Sequence, residues 1–461
     1  MNSRIGRALP YLAAPAVSLA LFWRGLFTWF LRDDFPWLSL RSQIHDLPSF
    51  LSTLFSPLAQ GTVRFLSERL YFVALSSLFG MRAGPFHAVT FAVWFGALVL
   101  AALIGQRLTG SKAAGVWAAI LWASSSALVV PLTWASAFNE VLCAFLLLAA
   151  FHARLRGARW LEWCAYLLAF GAKEAAILYP LAVALHSIVV EKKRDKSIAW
   201  LFLPATVFGL LHLFVIPHPP NDLYRVVIDG QLLHTTWTYI RWALGTSRIS
   251  KIIVALGLLC YLWQARHTRL LFFVGWFGIF LLPVLPLPNH LMEYYLTLPL
   301  VGLCWLGGAA IVSAERWRTR ALVVAVVGAY LIDRALIVQD GTSFVLHQTS
   351  RMRIAYRAME QTNREFPKTS LFLHGVDNEL FQSGFQENPF ALLGVSHAYL
   401  TPGADRDVTP RADLSMDSFR IPATQALVLV ESGKARALDF FNDAPVDVTE
   451  PYKSVLRAIA N

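Results

Sequence analysis

The chain is dominated by apolar runs of about twenty residues, separated by short loops where the basic residues collect. Coiled as an α-helix, such a run matches the ~30 Å hydrocarbon layer of a bilayer. Roughly eleven segments qualify: residues 8–30, 85–106, 113–133, 136–153, 158–172, 174–190, 198–216, 249–264, 270–288, 293–313 and 319–338. Composition agrees. The 461 residues are 56% hydrophobic with a mean hydropathy of +0.51, and only 15% are charged, against ~25% in soluble domains. The expected fold class is an all-α polytopic membrane protein. The 16 Trp and 32 Phe suit lipid-facing surfaces and interfacial belts.

Net charge is +11. The charge is spread over loops between apolar runs, which argues against a nucleic-acid partner and for the positive-inside pattern. With the N-terminus, carrying Arg4 and Arg7, in the cytoplasm, one face collects Arg107 and Lys112, then Arg154, Arg156 and Arg159. Lys192, Lys193, Arg194 and Lys196 follow there, then Arg266 and Arg269, then Arg316, Arg318 and Arg320. The opposite, extracytoplasmic face receives three longer pieces. The first is the loop 31–84, whose Arg64–Gly80 stretch reads as an amphipathic element on the membrane surface. The second, about 217–248, holds Pro217, Pro219, Pro220, Asp222 and Arg225, then an amphipathic run to Trp242. The third is residues 340–461, outside a transmembrane module of residues 1–339. It reads as a small α/β domain with a strand at Ser370–Val376, a helix at Asn378–Leu393 and a strand at Thr424–Val430. The expected location is an inner (plasma) membrane of bacterial type. The first segment reads as a retained helix, not a cleaved signal peptide. Cys143, Cys164, Cys260 and Cys304 lie in apolar runs without metal-ligand spacing and read as small core residues.

Ionisable residues at span ends cost free energy unless they are paired or used. Asp33 and Asp34 directly follow the first span. Their structural alternative is capping of the next helix. Trp134, Asn139 and Glu140 open the fourth span, where an acid is also favoured by the helix dipole. Lys173 and Glu174 lie in an apolar context. A helix from Arg159 to Lys173 rises ~21 Å, which puts this pair near the extracytoplasmic leaflet. His290, Glu293 and the tyrosines Tyr294 and Tyr295 form a polar group between two apolar runs, and Arg64 in the first loop suits a phosphate. All fall on one face under the same topology. No zinc signature, Walker loop, dinucleotide fingerprint or hydrolase Ser elbow is present.

The order of these motifs resembles the polytopic GT-C glycosyltransferases, and within them the protein O-mannosyltransferase-like branch. The resemblance covers about residues 1–340. It is carried by the Asp pair, by Trp134-Ala135-Ser136 with Glu140, by Lys173-Glu174 with Pro180, and by Glu293-Tyr294-Tyr295-Leu296 running to Pro299. It implies transfer of a sugar from a polyprenyl-phosphate donor in the membrane lipid to an acceptor hydroxyl on the extracytoplasmic face. Asp33 or Asp34 would be the general base, and Lys173-Glu174 would lie near the donor phosphate. Arg64, Trp134, Asn139, Glu140, His290, Glu293 and Tyr294 are the further candidates for substrate binding. Ser125-Ser126-Ala127-Leu128 stands where the branch often carries a His-Pro run, Tyr294 stands where it often carries Arg, and no tetratricopeptide repeat follows. No cofactor is expected; a divalent metal held by carboxylates and phosphate is the open alternative, with no motif behind it. The alternatives are a transporter or flippase of a lipid-linked or small substrate, and a non-catalytic protein of the same fold.

Overall fold

The structure is a computed structural model describing residues 8–56, 63–216, 222–245, 247–265, 268–314, 316–395, 397–410, 415–442 and 445–460. Arg4, Arg7, Pro217, Pro219, Pro220 and Arg266 lie outside the described residues. Each of the eleven apolar segments is helical over most of its length. In chain order the helices are α1 (Leu9–Phe27), α2 (Asp34–Ser39), α3 (Leu47–Phe55) and α4 (Tyr71–Phe79). Next come α5 (Gly84–Thr109), α6 (Lys112–Ala123), α7 (Ser126–Thr133), α8 (Ala135–Leu155) and α9 (Arg159–Phe170). The bundle continues with α10 (Glu174–Glu191), α11 (Lys196–Phe214), α12 (Gln231–Leu244), α13 (Arg248–Ala265), α14 (Thr268–Leu281) and α15 (Leu300–Ser313). Last is α16 (Trp317–Glu365), a 49-residue helix that runs on past the apolar segment.

Among the described residues, α1, α5, α8, α10, α11 and α16 are long and apolar enough to cross a bilayer unaided. The pair α6 and α7 qualifies together across a 58° bend, and the chain is an integral membrane protein. Small residues let the helices touch at their backbones. A Cβ on Gly115 would lie 2.1 Å from the Ala102 carbonyl oxygen, and one on Gly308 would lie 2.2 Å from that of Ala114. Thus α5, α6 and α15 meet backbone to backbone, and the Trp305 indole donates to the Ala101 carbonyl at 2.9 Å.

Helix α8 orients the bundle. It carries Glu140 near one end and Arg154 near the other, ~21 Å apart at ~1.5 Å per residue. The Arg154 end is locked by ions: Arg154 to Glu162 at 3.0 Å and Asp195 at 2.8 Å, Arg159 to the same two acids at 3.0 and 2.9 Å. Arg107 and Arg269 bind carbonyl oxygens of Leu155 and Leu108 there. The basic loops between spans therefore gather at this end, and the acid pair lies at the other.

The tail holds a four-stranded sheet of β1 (Ser370–His374), β2 (Ala398–Leu400), β3 (Ala435–Asp439) and β4 (Val446–Asp447), in the order β2-β1-β3-β4. β1 is parallel to both β2 and β3; β4 runs antiparallel to β3. Three expectations are corrected. Thr424–Val430 is helical, within Ala423–Glu431, because its buried residues Ala426 and Val430 are four apart, one helical turn, and not alternate. The helix expected over Asn378–Leu393 ends at Ser383. Gly384 then packs against Met352 and Phe35, and Pro389 starts a separate 3₁₀ turn. The Arg64–Gly80 stretch does not turn its polar side to solvent: Ser67, Glu68 and Arg69 are buried, while Leu78 and Phe79 are exposed. Arg69 finds its partner in the Leu54 carbonyl at 2.8 Å.

Candidate functional site

The acid pair sits on a tight turn between α1 and α2. Arg32 takes a left-handed conformation, φ 46°, uncommon for a residue with a Cβ. Its amide is held by the Ser383 carbonyl at 2.8 Å, so the tail packs directly on this turn. The two aspartates differ sharply. Asp34 is fully buried; one oxygen accepts from the Leu31 amide at 2.9 Å, the other from the Ser136 amide at 2.8 Å and from the Ser136 hydroxyl. Burial pushes its pKa up to about 7, with these hydrogen bonds pulling the other way and Asp33 adding repulsion. Asp33 is half-buried.

Ser136 belongs to the segment that builds the rest of the site. Residues Ala135–Ala137 form a 3₁₀ turn leading into the body of α8. From this segment the Trp134 indole donates to the Leu31 carbonyl at 3.1 Å, fixing the acid turn from a second point. One turn later Asn139 donates to Glu68 at 2.9 Å, and Glu140 pairs with Lys173. Seven residues thus link the Asp turn, the first loop and the Lys173-Glu174 break.

Lys173 and Glu174 do not neutralise each other. They sit where the chain breaks after α9, with Lys173 extended, φ −163° and ψ 151°. Glu174 meets Arg64 in a forked contact, Nε to Oε1 at 2.8 Å and Nη2 to Oε2 at 2.8 Å. Arg64 also reaches Glu68 at 2.6 Å. The Lys173 ammonium lies 4.6 Å from the centre of the Tyr295 ring as well as on Glu140. In this cluster two cations, Arg64 and Lys173, face three carboxylates, Glu68, Glu140 and Glu174.

The Tyr295 ring lies tilted against Tyr294 at 4.7 Å and edge-on to His290 at 5.8 Å. His290 is buried, and its Nε2 has no hydrogen-bond partner among the described residues. Burial, then the nearby Lys173 charge, lowers its pKa. Glu293 faces elsewhere: it accepts from the Ser126 hydroxyl at 2.5 Å and lies 3.6 Å from Arg334. Arg334 is fully buried on α16 and also donates to the Trp242 carbonyl at 2.6 Å. The sequence grouped Tyr295 with His290 and Glu293, but Arg334, Glu68, Ser126 and Ser136 were not among the candidate site residues. Two signals were available: Arg334 is an ionisable residue inside an apolar run, and Glu68 stands four residues after Arg64. Nothing in the sequence singles out Ser136 as the partner of Asp34. Among the described residues no three His, Cys, Asp or Glu side chains converge as a metal site.

No protein-family model matches the chain, and no curated protein sequence matches it. Solved structures do. The arabinofuranosyltransferase AftD from Mycobacteria superposes with a TM-score of 0.53 at 15% identity, covering 94% of this chain and 35% of that one. A mutant form of AftD gives 0.51 at 13% identity, covering 94% and 36%. ArnT from Cupriavidus metallidurans, bound to undecaprenyl phosphate, gives 0.48 at 13% identity, covering 94% and 93%. The chain spans about a third of the length of AftD. The chain therefore shares the fold of the AftD match, and here it forms a helical membrane bundle with a small C-terminal sheet. These neighbours do not single out the protein O-mannosyltransferase-like branch.

Proposed function

We propose that the protein is a membrane glycosyltransferase that moves a sugar from a polyprenyl-phosphate donor to an acceptor hydroxyl, at the face where the acid pair lies. One observation carries this reading: the Trp134–Glu140 segment binds both the Asp turn and the Lys173 pair. That segment ties the turn carrying the proposed base to the proposed phosphate cation within two helical turns, which supports the reading. That face is extracytoplasmic if the basic end faces the cytoplasm. A transporter would want Lys173 and Glu174 remote from Asp33, and the shared segment argues against that.

Asp33, half-buried, is the general base. Asp34 is a positioning residue, since its oxygens are occupied by three donors. Asp33 takes the acceptor's proton as the acceptor oxygen attacks the anomeric carbon. The bond from that carbon to the phosphate oxygen breaks, and the phosphate leaves with the electron pair. Attack opposite the leaving group inverts the configuration. Lys173 exchanges Glu140 for the phosphate and stabilises the developing charge in a water-poor site. Arg64, held by two carboxylates, keeps the cluster in shape. His290 and Tyr294 line the sugar side, while Glu293 with Arg334 and Ser126 fixes the loop that presents them. No step draws on a cofactor.

The test is incubation of the purified protein with radiolabelled polyprenyl-phosphate sugars and membrane extracts as acceptor. Transfer of label with release of polyprenyl phosphate is expected. Transfer from a nucleotide sugar in the absence of lipid carrier would overturn the proposal.

A further inference from the structure

A second concavity at the same end of the bundle shares no side chain with the site above. It encloses about 630 Å³ between the end of α1, the start of α5 and the extension of α16, within the size range of small-molecule sites. Three arginines line it: Arg82 before α5, and Arg353 and Arg357 on α16. All three are exposed, and no guanidinium among them has an ion pair or hydrogen bond among the described residues. Glu360, which also lines the pocket, is held by Arg364 at 2.7 Å.

This arrangement is unfavourable when empty. Arg353 and Arg357 are one helical turn apart, where like charges repel, and Arg82 adds a third charge from another element. Elsewhere in the chain, by contrast, Arg64, Arg154 and Arg334 are each matched to acids or carbonyls. The start of α5, with no side-chain cap, adds its positive end beside Gly84 and Pro85. The floor is firm: the Trp29 indole donates to the Met81 carbonyl at 3.3 Å, and its ring lies 5.2 Å from Tyr356. At the rim Phe27 and Phe79 are exposed apolar rings.

We propose that this pocket binds the phosphate of an anionic lipid headgroup, with the acyl chains running over Phe27 and Phe79 beside the end of α1. Guanidinium forks suit phosphate oxygens, and the adjoining apolar surface is what a free phosphate could not use. The occupant ties the extension of α16, and the tail that follows it, to the bilayer surface. None of this depends on the glycosyl-transfer reading.

The test uses the full chain in detergent, with bound lipid counted by native mass spectrometry. Phosphatidylglycerol is the probe, phosphatidylcholine the zwitterionic control and inorganic phosphate the competitor. Wild type should hold phosphatidylglycerol, and each Arg→Gln change at Arg82, Arg353 or Arg357 should weaken it about tenfold, the effect of losing one charge-assisted contact. These guanidinium groups make no ion pair or hydrogen bond among the described residues, so their loss should leave thermal stability nearly unchanged. Gly84→Trp provides a charge-neutral block, since a Cβ there meets nothing within 4 Å, and it should abolish retention. Retention by both the triple Arg→Gln variant and Gly84→Trp would overturn the proposal. So would full displacement by millimolar inorganic phosphate, which would make this a free-phosphate site, or equal retention of phosphatidylcholine.

Discussion

Asp34 makes the fold itself pH-sensitive. Its folded-state pKa is raised to about 7 from 3.8. A carboxyl whose pKa rises on folding stabilises the folded state while it is protonated. That contribution is complete below about pH 4 and is lost as pH rises through about 7. Three pH units at 1.36 kcal/mol each set it at ~4 kcal/mol. Asp34→Asn cannot ionise, so it should remove this loss. The assay is thermal unfolding of the purified protein in detergent at intervals from pH 4.5 to 8.5. Wild type should lose stability from pH 4.5 to about 7 and level off above that, and the variant should lose much less, although its amide fits the three donors worse and lowers the whole curve. Ser136→Ala deletes one donor to the charged form, worth ~1.5–3 kcal/mol, so its loss of stability should extend one to two pH units higher. Parallel curves for wild type and Asp34→Asn would refute the argument, because the pH dependence would then arise elsewhere.

Three further outcomes are expected. Arg64→Ala strands Glu68 and Glu174 and should cost more stability than Glu174→Ala; a double-mutant cycle on thermal unfolding should give a coupling of ~1–3 kcal/mol. Lys173→Ala should raise the KM for a lipid-phosphate donor at least tenfold and lower kcat as well, read from initial rates against donor concentration. Gly115→Ala and Gly308→Ala drive a methyl group into a carbonyl oxygen and should each destabilise the bundle by ~1–3 kcal/mol, measured by the same unfolding scan.

The helices were legible because hydropathy and helix length are local properties, and a ~20-residue apolar run has few alternatives. The mixed tail was less so. Ala423–Glu431 carries Val and Leu in close succession, and only burial of Ala426 and Val430 reveals its helical period. The strand Ala435–Asp439 is too short and too mixed to stand out, and it forms because β1 offers an edge on each side. At the site, the charged residues were visible as costs that needed explaining. Their partners were not. Arg64 and Glu174 are 110 positions apart, and Ser136 reaches Asp34 across 102. Such pairings follow from how the helices pack, which composition and spacing do not encode. The same holds for the Arg82, Arg353 and Arg357 pocket, whose members only the fold brings together.

The most direct measurement is the transfer rate of Asp33→Asn with a radiolabelled polyprenyl-phosphate sugar, set beside Asp33→Glu and wild type. Loss of a general base should lower kcat by about 10²–10⁴, with KM for the donor little changed and partial recovery by Glu. Transfer by Asp33→Asn at the wild-type rate would contradict the account.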